Sequence, residues 1–70
     1  MAIERLTIPV ARKRANMTQE KLARLCGVSV STISNWEKFK TEPSVSQAKR
    51  LADAVGLDYN EIIFLPETTV

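Results

Sequence analysis

Two helix starts lie eleven residues apart, at Thr18 and Ser29, and only Gly27 and Val28 separate the segments that they open. A Thr or Ser hydroxyl accepts from the unpaired amides of a helix's first turn, and glycine takes the left-handed conformation that ends a helix without steric cost. Thr18 therefore caps a helix whose Leu22, Ala23, Leu25 and Cys26 supply its inward side. Lys21 stands where a capping box needs Glu or Gln, so that cap is half made. Ser29 caps the next helix, which carries Ile33 and Trp36 on one side. A connection this tight forces the two helices to cross at a large angle. Leu22, Cys26, Val28, Ile33 and Trp36 must then be buried together, with Ala23 at the close approach.

The rest of the chain supplies further helices to cover this pair. Thr7 is placed to cap a first helix over about residues 8–15, with Pro9 in its opening turn, Ile8, Ala11 and Ala15 on one face, and Asn16 at a left-handed C-terminal position. The stretch 38–43 reads as a loop. Ser44 caps a fourth helix with Val45, Ala48, Leu51, Ala52 and Val55 at helical spacing, and Gly56 stops it. Asp58 and Glu61 form a capping box for a last helix containing Ile62, Ile63 and Phe64, which Pro66 terminates; residues 66–70 form a frayed tail. No alternation of apolar and polar residues persists long enough to argue for a strand. The expectation is an all-α fold, one compact five-helix domain spanning residues 1–70. A core this small supports about 3–5 kcal/mol of stability.

The chemistry open to such a domain is narrow. The chain of 70 residues has one cysteine and no histidine, which removes disulfide frameworks, most metal sites and histidine general-base catalysis. An enzyme, a resident cofactor and a bound metal are therefore not expected. No apolar run approaches the roughly 18 residues of a membrane span, and residues 1–5 lack the apolar stretch of a signal peptide, so a soluble, cytoplasmic protein with no membrane partner is expected. The net charge of +2 is unevenly distributed. Residues 1–50 hold all ten Lys and Arg against four acids, a balance of +6, whereas residues 51–70 hold four acids and no base, a balance of −4. Clustered positive charge of this kind suits an anionic partner on one side of the domain.

Taken in order, Arg12, Thr18-Gln19-Glu20-Lys21-Leu22-Ala23, Gly27-Val28-Ser29, Ser31-Thr32-Ile33-Ser34, Trp36-Glu37, Pro43-Ser44, Leu51-Ala52 and Gly56-Leu57 resemble the Cro and lambdoid-repressor (Xre-type) helix-turn-helix domains. The resemblance runs from about Ile8 to Phe64, with residues 18–37 as the helix-turn-helix unit. It implies a lambda-repressor-like DNA-binding domain whose third helix enters the major groove of double-stranded DNA. The outward residues of that helix, Val30, Ser31, Ser34 and Asn35, are then the base readers. Asn35 can donate and accept at adenine, Val30 offers a methyl surface to thymine or packs under a neighbouring loop, and the serines serve either base edges or phosphate. Gln19 is expected at a phosphate, helped by the free amides of its helix, with Thr18 mainly capping. Lys38, Lys40 and Thr41 are placed for a second phosphate.

The resemblance also implies an ion pair between Arg12 and Glu37 across the first and third helices. Phe39 stands where the family usually has glycine; a bulky residue resists the left-handed conformation, so the loop is expected to take another path or to continue the helix. Ile62, Ile63, Phe64 and Leu65 form either a dimer patch or the closure of the core. The expected activity is sequence-specific DNA binding by a transcriptional regulator, a small phage or prophage repressor or Cro-like protein in a bacterial host. It would act as a homodimer on an operator with two half-sites. The competing reading is an antitoxin of the same fold, which binds a toxin as well as its own operator.

Overall fold

The computed structural model describes residues 5–64. In chain order they form a short strand β1 (Leu6–Thr7), helices α1 (Ile8–Arg14), α2 (Gln19–Cys26), α3 (Val30–Glu37) and α4 (Val45–Val55), one 3-10 turn (Tyr59–Glu61) and a second short strand β2 (Ile62–Ile63). Ile8, Leu22, Ile33, Leu51 and Ile62 are fully buried, and Ala23, Cys26, Trp36 and Ala52 complete the core cluster with them. Helix α2 lies at its centre, packed on both α3 and α4.

The caps explain where each helix starts. The Thr18 hydroxyl accepts from the amide of Lys21 at 3.0 Å, and the Ser29 hydroxyl from that of Thr32 at 3.2 Å. Ser44 accepts from Gln47 at 3.2 Å, while the Gln47 side chain accepts from the Ser44 amide at 2.8 Å, a reciprocal box that fixes the start of α4. Thr7 precedes α1 in extended conformation and makes no side-chain cap. Pro9 removes one of the amides that such a cap would serve.

The ends follow one pattern. Asn16, Gly27, Phe39 and Gly56 all have positive φ, at 59°, 71°, 59° and 74°. Each is flanked by the paired 5→2 and 6→1 backbone bonds of a Schellman motif, as in Phe39 N to Trp36 O at 3.2 Å and Lys40 N to Asn35 O at 2.9 Å. Phe39 therefore does take the left-handed conformation, contrary to the expectation from its bulk. The two bonds that close α3 hold it there.

The chain after α4 departs from the expected fifth helix, so the described residues form four α-helices. Only a 3-10 turn forms, with Glu61 N bonded to Asp58 O at 2.9 Å and the Glu61 carboxylate accepting from the Asp58 amide at 3.0 Å. The next residues extend and pair in parallel with β1, Leu6 with Ile62 and Thr7 with Ile63. β-branched Ile62 and Ile63 suit a strand, and the ladder to β1 pairs their backbone groups. This pair is also the strand that no periodicity announced. Pro66, Leu65 and the tail 66–70 lie outside the described residues.

Two apolar assignments also change. Leu25 is 42% exposed, because the buried arc of α2 runs over Leu22, Cys26 and Ala23 and leaves Leu25 past its edge. Val45, in the first turn of α4, is 63% exposed.

Candidate nucleic-acid interface

Helix α3 divides cleanly by exposure. Ile33 and Trp36 are buried; Val30 and Ser31 are exposed, and Ser34 and Asn35 keep partial exposure. Val30, at 39% exposure, thus presents its methyl groups to solvent and is not covered by a loop. These four residues share the outward side of α3, beginning at its N-terminal end. The Ser29 and Thr32 hydroxyls, 2.9 Å apart, bond to each other beside it.

The start of α2 faces the start of α3 across an open groove of about 520 Å³, lined by Arg12, Thr18, Gln19, Glu20 and Val30. Donors for an anion are present there: the amides opening α2 and the amide group of Gln19. Glu20 brings a carboxylate to the same groove, which sets it against an anion bound close by.

The far end of α3 is tied to this groove through Glu37. Arg12 Nε donates to Glu37 Oε2 at 2.8 Å, Arg12 Nη1 donates to the carbonyl of Met17 at 3.0 Å, and Gln19 Nε2 donates to Glu37 Oε1 at 2.9 Å. The Arg12 and Glu37 side chains are only 14% and 9% exposed, so this is a largely desolvated ion pair with its hydrogen bonds satisfied. It joins α1, the turn before α2, the first residue of α2 and the last residue of α3. The Gln19 link was not legible in the sequence, since no periodicity relates residues on different helices.

Lys38, Lys40 and Thr41 are exposed beyond the end of α3. Lys40 and Thr41 line a second open groove, of about 370 Å³, with Phe39, Glu42 and Phe64. Lys38 does not line it. The Phe64 ring stacks on Tyr59, with centroids 5.3 Å apart and planes inclined at 29°. Of the residues 62–65 considered as a dimer patch, Ile62 is 1% exposed and closes the core, which removes it from any surface. Ile63 and Phe64 are half-buried, and Leu65 lies outside the described residues.

Cys26 is buried, and burial raises its thiol pKa above the ordinary 9.0, against a smaller opposing pull from Arg50. A thiol in that state is a poor nucleophile. Among the described residues, no three His, Cys, Asp or Glu side chains gather to hold a metal ion, and no helix is long and apolar enough to cross a membrane.

Comparison with known proteins matches residues 10–62 to the model of a family described as helix-turn-helix. A protein of Methanothermobacter thermautotrophicus, named as an uncharacterized HTH-type transcriptional regulator, is 43% identical over 54 residues, covering 77% of this chain and 78% of the relative.

Proposed function

This chain belongs to the helix-turn-helix family of the Cro and lambdoid-repressor type, and we propose that it is a DNA-binding transcriptional regulator that recognises an operator by laying α3 in the major groove. The observation that supports this most is the division of α3: one side is locked into the core by Ile33 and Trp36, while Val30, Ser31, Ser34 and Asn35 line the other. A major groove about 12 Å wide admits one helix so presented. Asn35 reads adenine through paired donor and acceptor contacts, Val30 packs on a thymine methyl, and Ser31 and Ser34 supply single hydrogen bonds.

Phosphates anchor the helix at both ends. Gln19 and the amides opening α2 take one, with Thr18 as the cap that holds them in place; Lys38, Lys40 and Thr41 take another. One recognition helix reads too few base pairs to find a site in a genome, so a homodimer on two half-sites about one helical turn apart is the working form. Ile63 and Phe64, both half-buried, would contribute apolar surface to that contact, with Leu65 next to them in the chain. Repression in the manner of a Cro-like protein is the regulatory mode that suits a domain of this kind.

Binding-site selection from random duplexes tests the reading. Recovery of a two-half-site sequence is expected, with affinity that falls steeply as salt rises. Asn35→Ala should relax the preference at one position of each half-site and cost about 1–3 kcal/mol there. Binding that is insensitive to salt and indifferent to sequence would sink the proposal.

A further inference from the structure

Glu37 does more in this structure than balance Arg12. Its two oxygens are divided between two donors, Oε2 receiving Arg12 Nε and Oε1 receiving Gln19 Nε2. A carboxylate only accepts, so the Gln19 amide must turn its NH₂ group, and not its oxygen, towards Glu37. That nitrogen carries two hydrogens, and Glu37 uses one of them. A DNA phosphate likewise only accepts. Gln19 can therefore serve a phosphate with its second amide hydrogen, whereas an amide turned by a half-rotation would set oxygen against oxygen.

We propose that Glu37 is a positioning residue for the phosphate contact, locking the Gln19 amide with its remaining hydrogen available to the DNA backbone in the groove shared with Thr18 and Val30. This rests on the reading of Gln19 as a phosphate ligand. Arg12 makes the arrangement tolerable: a bare carboxylate one side chain away from a phosphate would repel it, and the guanidinium at 2.8 Å offsets that charge. The lock also links the two halves of the interface. Glu37 ends the helix that reads bases, and Gln19 begins the helix that holds the backbone, so a displacement of one is felt by the other.

A double-mutant cycle separates this role from a merely structural one. Affinity for a mixed-sequence duplex about two helical turns long, at low salt, is measured for the unaltered protein, Glu37→Gln, Gln19→Met and the double variant, below the melting range of all four. Glu37→Gln keeps the shape but can offer Gln19 a donor as readily as an acceptor. It should weaken binding about fivefold more where Gln19 is present than where Met replaces it, because the removed negative charge acts alike in both backgrounds. An equal change in both backgrounds overturns the lock and leaves a structural or charge effect only. A Gln19→Met variant that binds as tightly as the unaltered protein overturns the phosphate reading of Gln19, and the lock with it. If Glu37→Gln does not fold, nuclear magnetic resonance of the Gln19 side-chain amide in the unaltered protein decides the matter. One hydrogen should shift when the duplex is added while its partner stays in place, and two unmoved hydrogens would overturn the proposal.

Discussion

Cys26 is 2% exposed at the end of α2, and its burial favours the neutral thiol. The folded pKa lies above that of the unfolded chain, so the folded state holds its proton to higher pH. The resulting contribution to stability is full below the unfolded pKa and is lost as pH rises through the folded one. Denaturant melts should show stability falling above about pH 9, with a smaller fall for Cys26→Ala than for the unaltered protein. The thiol should also react with an alkylating reagent only as fast as the domain opens. Phe39 poses a different question at the same scale. Its left-handed backbone, at φ 59°, costs a residue with a Cβ about 1 kcal/mol relative to glycine. Comparing Phe39→Gly with Phe39→Ala isolates that term, because both remove the ring. The glycine variant should be the more stable by about 1 kcal/mol in chemical denaturation. Equal stability would mean that the loop relaxes once the ring is gone.

At the scale of elements, α2 carries the sharpest test of which face is inside. Leu22→Ala should cost about 2–5 kcal/mol, since Leu22 has no exposure, whereas Leu25→Ala should stay within about 0.5 kcal/mol. The same helix shows what the sequence makes legible. Caps and glycines state where a helix begins and ends, because a hydroxyl at Thr18 or Ser44 and a free φ at Gly27 act on their immediate neighbours. At Gly27 the φ of 71° is what requires glycine; a Cβ there would meet only the flexible tip of Arg50 on α4, at 3.3 Å. The steric preference of Phe39 alone does not decide its conformation, because two backbone bonds that end α3 hold it in the left-handed region. Local pattern does not reveal the strand at residues 62–63, because it depends on a partner more than fifty residues away. In the candidate interface, the outward residues of α3 could be named from their spacing. The hydrogen bond from Gln19 to Glu37 could not, because it depends on how α2 and α3 cross.

For the whole molecule, the Arg12–Glu37 pair is the contact whose loss is least affordable. Glu37→Ala strands a desolvated guanidinium and frees Gln19, at roughly 3–5 kcal/mol, which is comparable to the entire stability of a domain of this size. A thermal melt of that variant should show little or no cooperative transition near the unaltered midpoint, and an unchanged midpoint would refute the assignment. The β1–β2 pairing acts over the greatest distance along the chain, joining Leu6 to Ile62. The ladder is only two residues long on each strand, and of its four residues Ile62 alone is buried. So short a pairing is expected to act as a latch that shuts on assembled helices and is the first contact to release. Amide hydrogen exchange in native conditions should find the Ile62 and Ile63 region opening before α2 and α3, so that the recognition helix stays folded while the ends of the chain come apart and rejoin.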